Sequence, residues 1–302
     1  MAEIGRLLTA MITPMRPDGA IDYDAAQRLA ALLISDGSDG IVVAGTTGES
    51  PTLSDDEKIE LLVRVKEAIP GYAVVAGTGG NDTHHSIALS RRAAEAGADA
   101  VLCVVPYYNK PPQEGMYQHF KAIAEESGAP VIMYNIQART AINMTVQTTL
   151  RCAEIPGVIG VKEASGDIDQ MSLICAKKPD AFRVWSGDDS FTLPLLAVGG
   201  DGLIGVTSHL ASRAIREMIT AFLRGDTATA RHIHGRLLPL VKALMTTASN
   251  PVPLKSVLPA LGFPAGPFRP PLTALTAPEV EKVLDAVREA GELVTFAPAG
   301  VG

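Results

Sequence analysis

The sequence is poor in the features that would commit it to a disulfide framework, a membrane or a nucleic acid. Among 302 residues there are three cysteines, Cys103, Cys152 and Cys175. They are odd in number, widely spaced, set in apolar or helical pattern and without a Cys-x-x-Cys pair, so they read as reduced core thiols of a cytoplasmic protein. No stretch of about 18 apolar residues occurs, and the first residues, Met1-Ala2-Glu3-Ile4-Gly5-Arg6-Leu7, carry no long apolar segment of signal-peptide type. Secretion and membrane spanning are both unsupported. The 26 basic residues are outnumbered by 33 acidic ones, for a formal charge of −7, and no Lys/Arg-rich run stands out. The electrostatic footprint of a nucleic-acid binder is therefore missing, and small molecules are the expected partners. Nor do the six histidines form a metal set. His84 and His85 are adjacent, His232 and His234 lie two apart on different faces of a helical pattern, and these four read as solvated surface. His119 reads as capping or packing a helix.

What is present is an alternation of short apolar runs with amphipathic segments. Eight runs have strand character: Leu8 to Ile12, Gly40 to Ala44, Ala73 to Ala76, Ala100 to Val105, Val131 to Tyr134, Val158 to Lys162, Arg183 to Trp185 and Gly202 to Val206. Helical patterns lie between them, for example Ala25 to Ile34, Asp55 to Ala68, Thr83 to Ala96 and Gln113 to Glu126. Ser54 and Asp82 open helices as caps, and Gly37, Gly97 and Gly128 close them. Eight strand–helix units in the first 225 residues predict an α/β fold, a closed (β/α)8 TIM barrel, because an open doubly wound sheet usually has fewer strands and a glycine fingerprint after the first. Beyond Leu223-Arg224-Gly225-Asp226 the strands stop. Three helical patterns follow, Thr227 to Met245, Pro253 to Leu261 and Pro278 to Glu289, so the expected division is a catalytic barrel over 1–225 and a small C-terminal helical extension over 226–302. Phe296 to Gly302 is expected to fray.

In such a barrel the site is built at the carboxyl ends of the strands, so the residues just after each run carry the function. After the second run comes Gly45-Thr46-Thr47-Gly48-Glu49-Ser50, and after the fourth Pro106-Tyr107-Tyr108-Asn109. The fifth ends in Tyr134-Asn135-Ile136-Gln137-Ala138-Arg139-Thr140, the sixth in Lys162-Glu163-Ala164-Ser165, the seventh in Ser186-Gly187-Asp188-Asp189. Lys162 is the most informative of these. An amine inside an apolar strand is either a snorkelling structural residue or a reagent, because burial disfavours the ammonium and exposes a neutral nucleophile able to form a Schiff base. A phenol to shuttle protons and hydroxyl or amide donors for a carboxylate complete the set that imine chemistry on an α-keto acid needs, without a metal. Thr46-Thr47 between glycines could instead cradle a phosphate, but neither a GxxxxGK[ST] nor a GxGxxG fingerprint is present. Tyrosines at strand ends also serve simply to hydrogen-bond loops.

Taken in order, Gly-Thr-Thr-Gly-Glu-Ser, Pro-Tyr-Tyr-Asn, Tyr-Asn-x-x-x-Arg-Thr, Val-Lys-Glu-Ala-Ser-Gly, Ser-Gly-Asp-Asp and Asn250-Pro251-Val252-Pro253-Leu254-Lys255 resemble the dihydrodipicolinate synthases. The resemblance covers nearly the whole chain, and the wider superfamily includes N-acetylneuraminate lyase and other pyruvate-dependent class I aldolases and dehydratases. It implies that Lys162 forms an imine with pyruvate, without any cofactor, and that the enamine adds to aspartate-4-semialdehyde in lysine and diaminopimelate biosynthesis. It implies a proton relay of Tyr134, Thr47 and Tyr108, the last reaching into a neighbouring subunit. The amides of Thr46 and Thr47 would hold the pyruvate carboxylate, Gly187 and Ile204 would line the pocket through their backbone, and Arg139 would orient the semialdehyde carboxylate. A cytoplasmic homotetramer, a dimer of dimers, is implied too. The alternatives are a relative with another aldehyde or sugar acid as substrate, and a non-catalytic keto-acid-binding protein. Arg139 with Thr46-Thr47 favours the synthase over the first, and the joint presence of Lys162, Tyr134, Tyr108 and Thr47 argues against the second.

Departures from the family pattern cluster in one loop. Gln137-Ala138-Arg139-Thr140-Ala141 replaces the usual Pro-Ser-Arg-Thr-Gly, so Ala141 is expected to distort a turn that needs positive φ and to displace Arg139. Ser208-His209 stands where Ala-Asn is common, which gives His209, alone among the histidines, a position near the mouth. In lysine-sensitive relatives an inhibitory lysine binds at positions matching Ser50, Pro51, Asp55, Lys58, Asn81, His85 and Tyr107. A glutamate stands there in place of His85, and an imidazole cannot supply its negative charge, so weak feedback inhibition is expected unless Asp55 replaces it.

Overall fold

The computed structural model describes residues 2–296. Chain order runs β1 (Leu7–Ala10), α1 (Tyr23–Ser35), β2 (Gly40–Val43), α2 (Asp55–Ala68), β3 (Ala73–Gly77), α3 (Thr83–Glu95), β4 (Ala100–Val104) and α4 (Gln113–Glu126). It continues with β5 (Val131–Asn135), α5 (Gln137–Thr140), α6 (Val146–Ala153), β6 (Val158–Glu163), α7 (Ile168–Lys177), β7 (Arg183–Ser186), α8 (Thr192–Ala197), β8 (Gly202–Gly205) and α9 (Ser208–Leu223). Three further helices close the described chain: α10 (Thr227–Thr246), α11 (Val252–Val257) and α12 (Ala277–Ala290).

The eight strands pair in parallel in sequence order and close where β1 meets β8. They are apolar without alternation because both faces are covered, helices outside and a packed layer inside. That inner layer includes Leu8, Val42, Val75, Leu102, Ile132, Tyr134, Trp185 and Ile204, so the barrel is a filled core and the chemistry must lie above it. Helix starts follow the expected capping. Ser54 and Glu57 form a reciprocal box on α2, and the Asp82 carboxylate accepts the His84 and His85 amides on α3. Among the described residues no helix is long and apolar enough to cross a membrane.

Two expectations for the C-terminal region need correction. The pattern Pro253 to Leu261 is not one helix, since α11 ends at Val257 and a 3-10 turn continues to Leu261; Pro259 has no N–H to carry the α-helical ladder on. Phe296 does not fray. Its amide donates to Leu210 O at 3.2 Å and its ring meets Phe263 edge-on at 6.2 Å, while residues 297–302 lie outside the described residues. Cys103 and Cys152 are buried and Cys175 half-buried, all free thiols, and burial pushes them up to about 11, 12 and 11 respectively. His119 is buried against Phe120, with Nδ1 bonded to Thr83 Oγ1 at 2.8 Å.

His209 is not at the mouth. It is fully buried at the barrel seam, where Nε2 accepts from the Ile12 amide (3.1 Å) and Nδ1–H donates to Val206 O (2.8 Å). Because an amide N–H can only donate, these two bonds select one neutral tautomer, and it ties the chain after β1 to the end of β8.

Burial holds both His209 and His119 down to about 4. A folded pKa below the ordinary ~6.5 means that each neutral imidazole contributes stability fully above that value and loses it as pH falls through 4. The contribution is roughly 3 kcal/mol each, of which about 2 kcal/mol is gone at pH 5. Denaturant unfolding at pH 7.5 and pH 5 should show this loss, and His209→Asn should remove about half of the slope. An unchanged slope would mean that His209 is not held neutral.

Candidate active site at the carboxyl end of the barrel

Lys162 sits on β6 directly across from Tyr134 on β5, so the pairing register itself brings amine and phenol together. The lysine is 5% exposed, and its Nζ lies 4.4 Å from the centroid of the Tyr134 ring. Burial lowers its pKa to about 8; the Asp189 carboxylate opposes that shift and the Arg139 guanidinium adds to it. Burial likewise pushes the Tyr134 phenol up to about 12. Room for the lysine stem depends on Gly187. A Cβ there would stand 3.0 Å from both Cγ and Cε of Lys162 and 2.8 Å from Ala164 Cβ.

Above this pair opens a cavity of about 400 Å3 whose wall includes Thr46, Tyr134 and Arg139. Lys162 and Thr47 are buried, Gly187 is half-buried, none of the three lines the cavity, and Ile204 belongs to the packed inner layer. The same cavity extends along Ser50, Pro51, Lys58, Asn81, His85 and Tyr107. Asp55 stands behind His85, with Oδ2 2.7 Å from His85 Nε2 and Oδ1 3.8 Å from Lys58 Nζ. His84, His85 and His232 are exposed as expected, His85 pairing with Asp55 at the surface, whereas His234 is half-buried. Like Lys162 and Thr47, Tyr108 does not line the cavity, but for the opposite reason. It is 89% exposed, on a backbone held at φ 72°.

The loop that carries Thr46 and Thr47 is fastened from the C-terminal extension. Asn250 Nδ2 donates to Thr47 Oγ1 at 3.0 Å. Glu49, with left-handed backbone (φ 58°), buries its carboxylate against Lys255 Nζ (2.5 Å) and the Arg269 amide (3.1 Å). Arg139 donates to Ser249 Oγ (3.4 Å) and Asn250 O (3.1 Å), both uncharged acceptors. The expected distortion around Arg139 does not occur. Ala141 takes the left-handed conformation itself (φ 61°, ψ 12°), at a cost of roughly 1–2 kcal/mol, and Arg139 keeps its place on the cavity wall.

Three groups at the site were not singled out from the sequence. Asp189 is buried, and its carboxylate accepts the Val206 and Thr207 amides. Its neighbour Asp188 instead caps the turn that follows β7, and adjacency in Ser-Gly-Asp-Asp gives no means of telling the two apart. Asn250 and the Glu49–Lys255 pair stood inside quoted motifs but about 200 residues from their partners. Among the described residues no group of three or more His, Cys, Asp or Glu side chains is arranged to hold a metal ion.

The profile of the dihydrodipicolinate synthetase family matches residues 3–290. The chain is 55% identical over 290 residues to 4-hydroxy-tetrahydrodipicolinate synthase of Moorella thermoacetica, covering 96% of this chain and 99% of that protein. It is 50% identical over 295 residues to the synthase of Symbiobacterium thermophilum, covering 97% and 100%. The crystal structure of the Cyanidioschyzon merolae enzyme with lysine bound superposes with a TM-score of 0.93 at 43% identity, covering 96% of this chain and 99% of that one.

A test of the crowding at Lys162 is Gly187→Ala. Labelling of Lys162 by a small aldehyde and borohydride, followed by peptide mass mapping, should rise with pH through about 8 in the wild type. It should fall about 100-fold in the variant, the usual effect of a reacting group displaced by about 1 Å. Equal labelling would show that Lys162 has space to spare.

Proposed function

The chain belongs to the dihydrodipicolinate synthetase family, and on that premise we propose how its residues divide the work of its reaction. That reaction is the condensation of pyruvate with aspartate-4-semialdehyde to 4-hydroxy-tetrahydrodipicolinate, on the route to diaminopimelate and lysine. The observation that carries the assignment is Lys162, buried beside the Tyr134 ring with its pKa lowered to about 8.

Lys162 attacks C2 of pyruvate as the free amine, and loss of water gives an imine. Removal of a C3 proton yields the enamine, whose carbon adds to the aldehyde of the semialdehyde. The semialdehyde's own amino group then attacks C2, closing the ring and releasing Lys162, so that one water leaves overall. No cofactor takes part beyond the covalent imine. Each step moves protons, and the relay assigned to them is Tyr134, Thr47 and Tyr108. Tyr108 serves the neighbouring subunit in a cytoplasmic homotetramer built as a dimer of dimers; its exposure outside its own cavity supports this reading. The amides of Thr46 and Thr47 hold the pyruvate carboxylate, and the backbone of Gly187 and Ile204 lines the pocket. Arg139 receives the semialdehyde carboxylate, which its uncharged present partners leave it free to do.

Pyruvate with borohydride should add a reduced imine to Lys162, read as an intact-mass shift and mapped to its peptide. Lys162→Ala should abolish label and turnover together. Label on another residue, or comparable turnover in Lys162→Ala, would overturn the mechanism.

The residues Ser50, Pro51, Asp55, Lys58, Asn81, His85 and Tyr107 are proposed as the remnant of an inhibitory lysine site. Asp55, the carboxylate that could replace the missing glutamate, already pairs with His85 and Lys58, and Asp82 on the same wall is engaged by the His84 and His85 amides. Inhibition by lysine should therefore be weak, and His85→Glu should strengthen it about ten- to a hundredfold, the effect of one charge-assisted contact. Strong inhibition of the wild type in initial-rate titrations would mean that another group takes the ammonium.

A further inference from the structure

We propose that Asn250 is a positioning residue for Thr47: its side-chain amide, reaching from the C-terminal extension, sets the direction of the Thr47 hydroxyl proton. The inference rests on the relay role given to Thr47 above. A threonine hydroxyl has one proton to give and two lone pairs to receive, and left alone it rotates among its staggered positions. Asn250 Nδ2 lies 3.0 Å from Thr47 Oγ1 and, as an amide nitrogen, can only donate. It therefore occupies a lone pair and denies the Thr47 proton the direction of Asn250.

The backbone that carries the amide is also held from both sides. The Asn250 carbonyl accepts from Arg139, and the Ser249 carbonyl accepts from the Val252 amide. Five residues on, Lys255 is locked to Glu49 in the very loop that carries Thr47. Loop and tether thus move as one body, and the hydroxyl's orientation is fixed before substrate arrives, which is the arrangement that lowers the cost of proton transfer.

A double-mutant cycle tests this with Asn250→Asp and Thr47→Val, read as kcat, KM for pyruvate and borohydride labelling of Lys162. An ionised carboxylate can only accept, so Asn250→Asp should capture the Thr47 proton. We expect kcat to fall about 10- to 100-fold at pH 8, with KM changed by less than about 3-fold. The loss should shrink toward roughly pH 5, where a protonated carboxyl donates as the amide does. In the Thr47→Val background the same substitution should cost no more than about 2-fold. Losses that multiply in the double variant while Thr47→Val is itself impaired would overturn the role of Asn250 and leave the relay standing. A Thr47→Val enzyme with undiminished kcat would overturn the relay role and the inference with it. Should Asn250→Asp not fold, Asn250→Ala runs the same cycle, with a smaller, pH-independent loss expected.

Discussion

An amine that must be nucleophilic near neutral pH needs surroundings dry enough to discharge it and not so anionic as to recharge it. At Lys162 the two demands are balanced by position. The barrel's inner layer removes water from below and the Tyr134 ring from beside, while Asp189 pulls in the opposite direction. Asp189 is itself restrained, because its own burial favours the neutral acid, against the Val206 and Thr207 amides that favour the carboxylate. A bulkier residue at Gly187 or a freer anion at Asp189 would upset the balance by sterics or by charge.

The helices after the barrel are as much a part of the site as the strand ends. A buried carboxylate such as Glu49 is tolerable only with a partner, and breaking such a pair by removing one member costs about 3–5 kcal/mol. The partner, Lys255, comes from α11, as Asn250 and Ser249 come from the turn before it. One short segment thereby holds both the Thr47 hydroxyl and the Arg139 guanidinium.

Legibility in the sequence followed the range of the interaction. Strand runs such as Val158 to Lys162 were readable because double-sided burial writes itself as continuous apolar residues, and α2 because Ser54 and Glu57 lie three apart. Lys162 stood out by being polar in an apolar run. His209 misled because its chain neighbours place it at a strand end, whereas the amide that fixes it, Ile12, lies 197 residues away. The family pattern in the loop around Arg139 misled in the other direction. It exposed the loss of a glycine, but not that alanine would accept the left-handed turn at a modest cost.

The long separations have a consequence for the order of events during synthesis. Glu49 and Lys255 are 206 residues apart, so at roughly 5–20 residues per second the carboxylate leaves the ribosome about 10 to 40 s before its counter-ion. Strands β3 to β8 all emerge in that interval, after β1 and β2, yet Thr47 has no Asn250, Arg139 no resting place and Glu49 no charge to meet. A nascent barrel is therefore a fold without a finished site, and the enzyme acquires competence only when its last fifth docks.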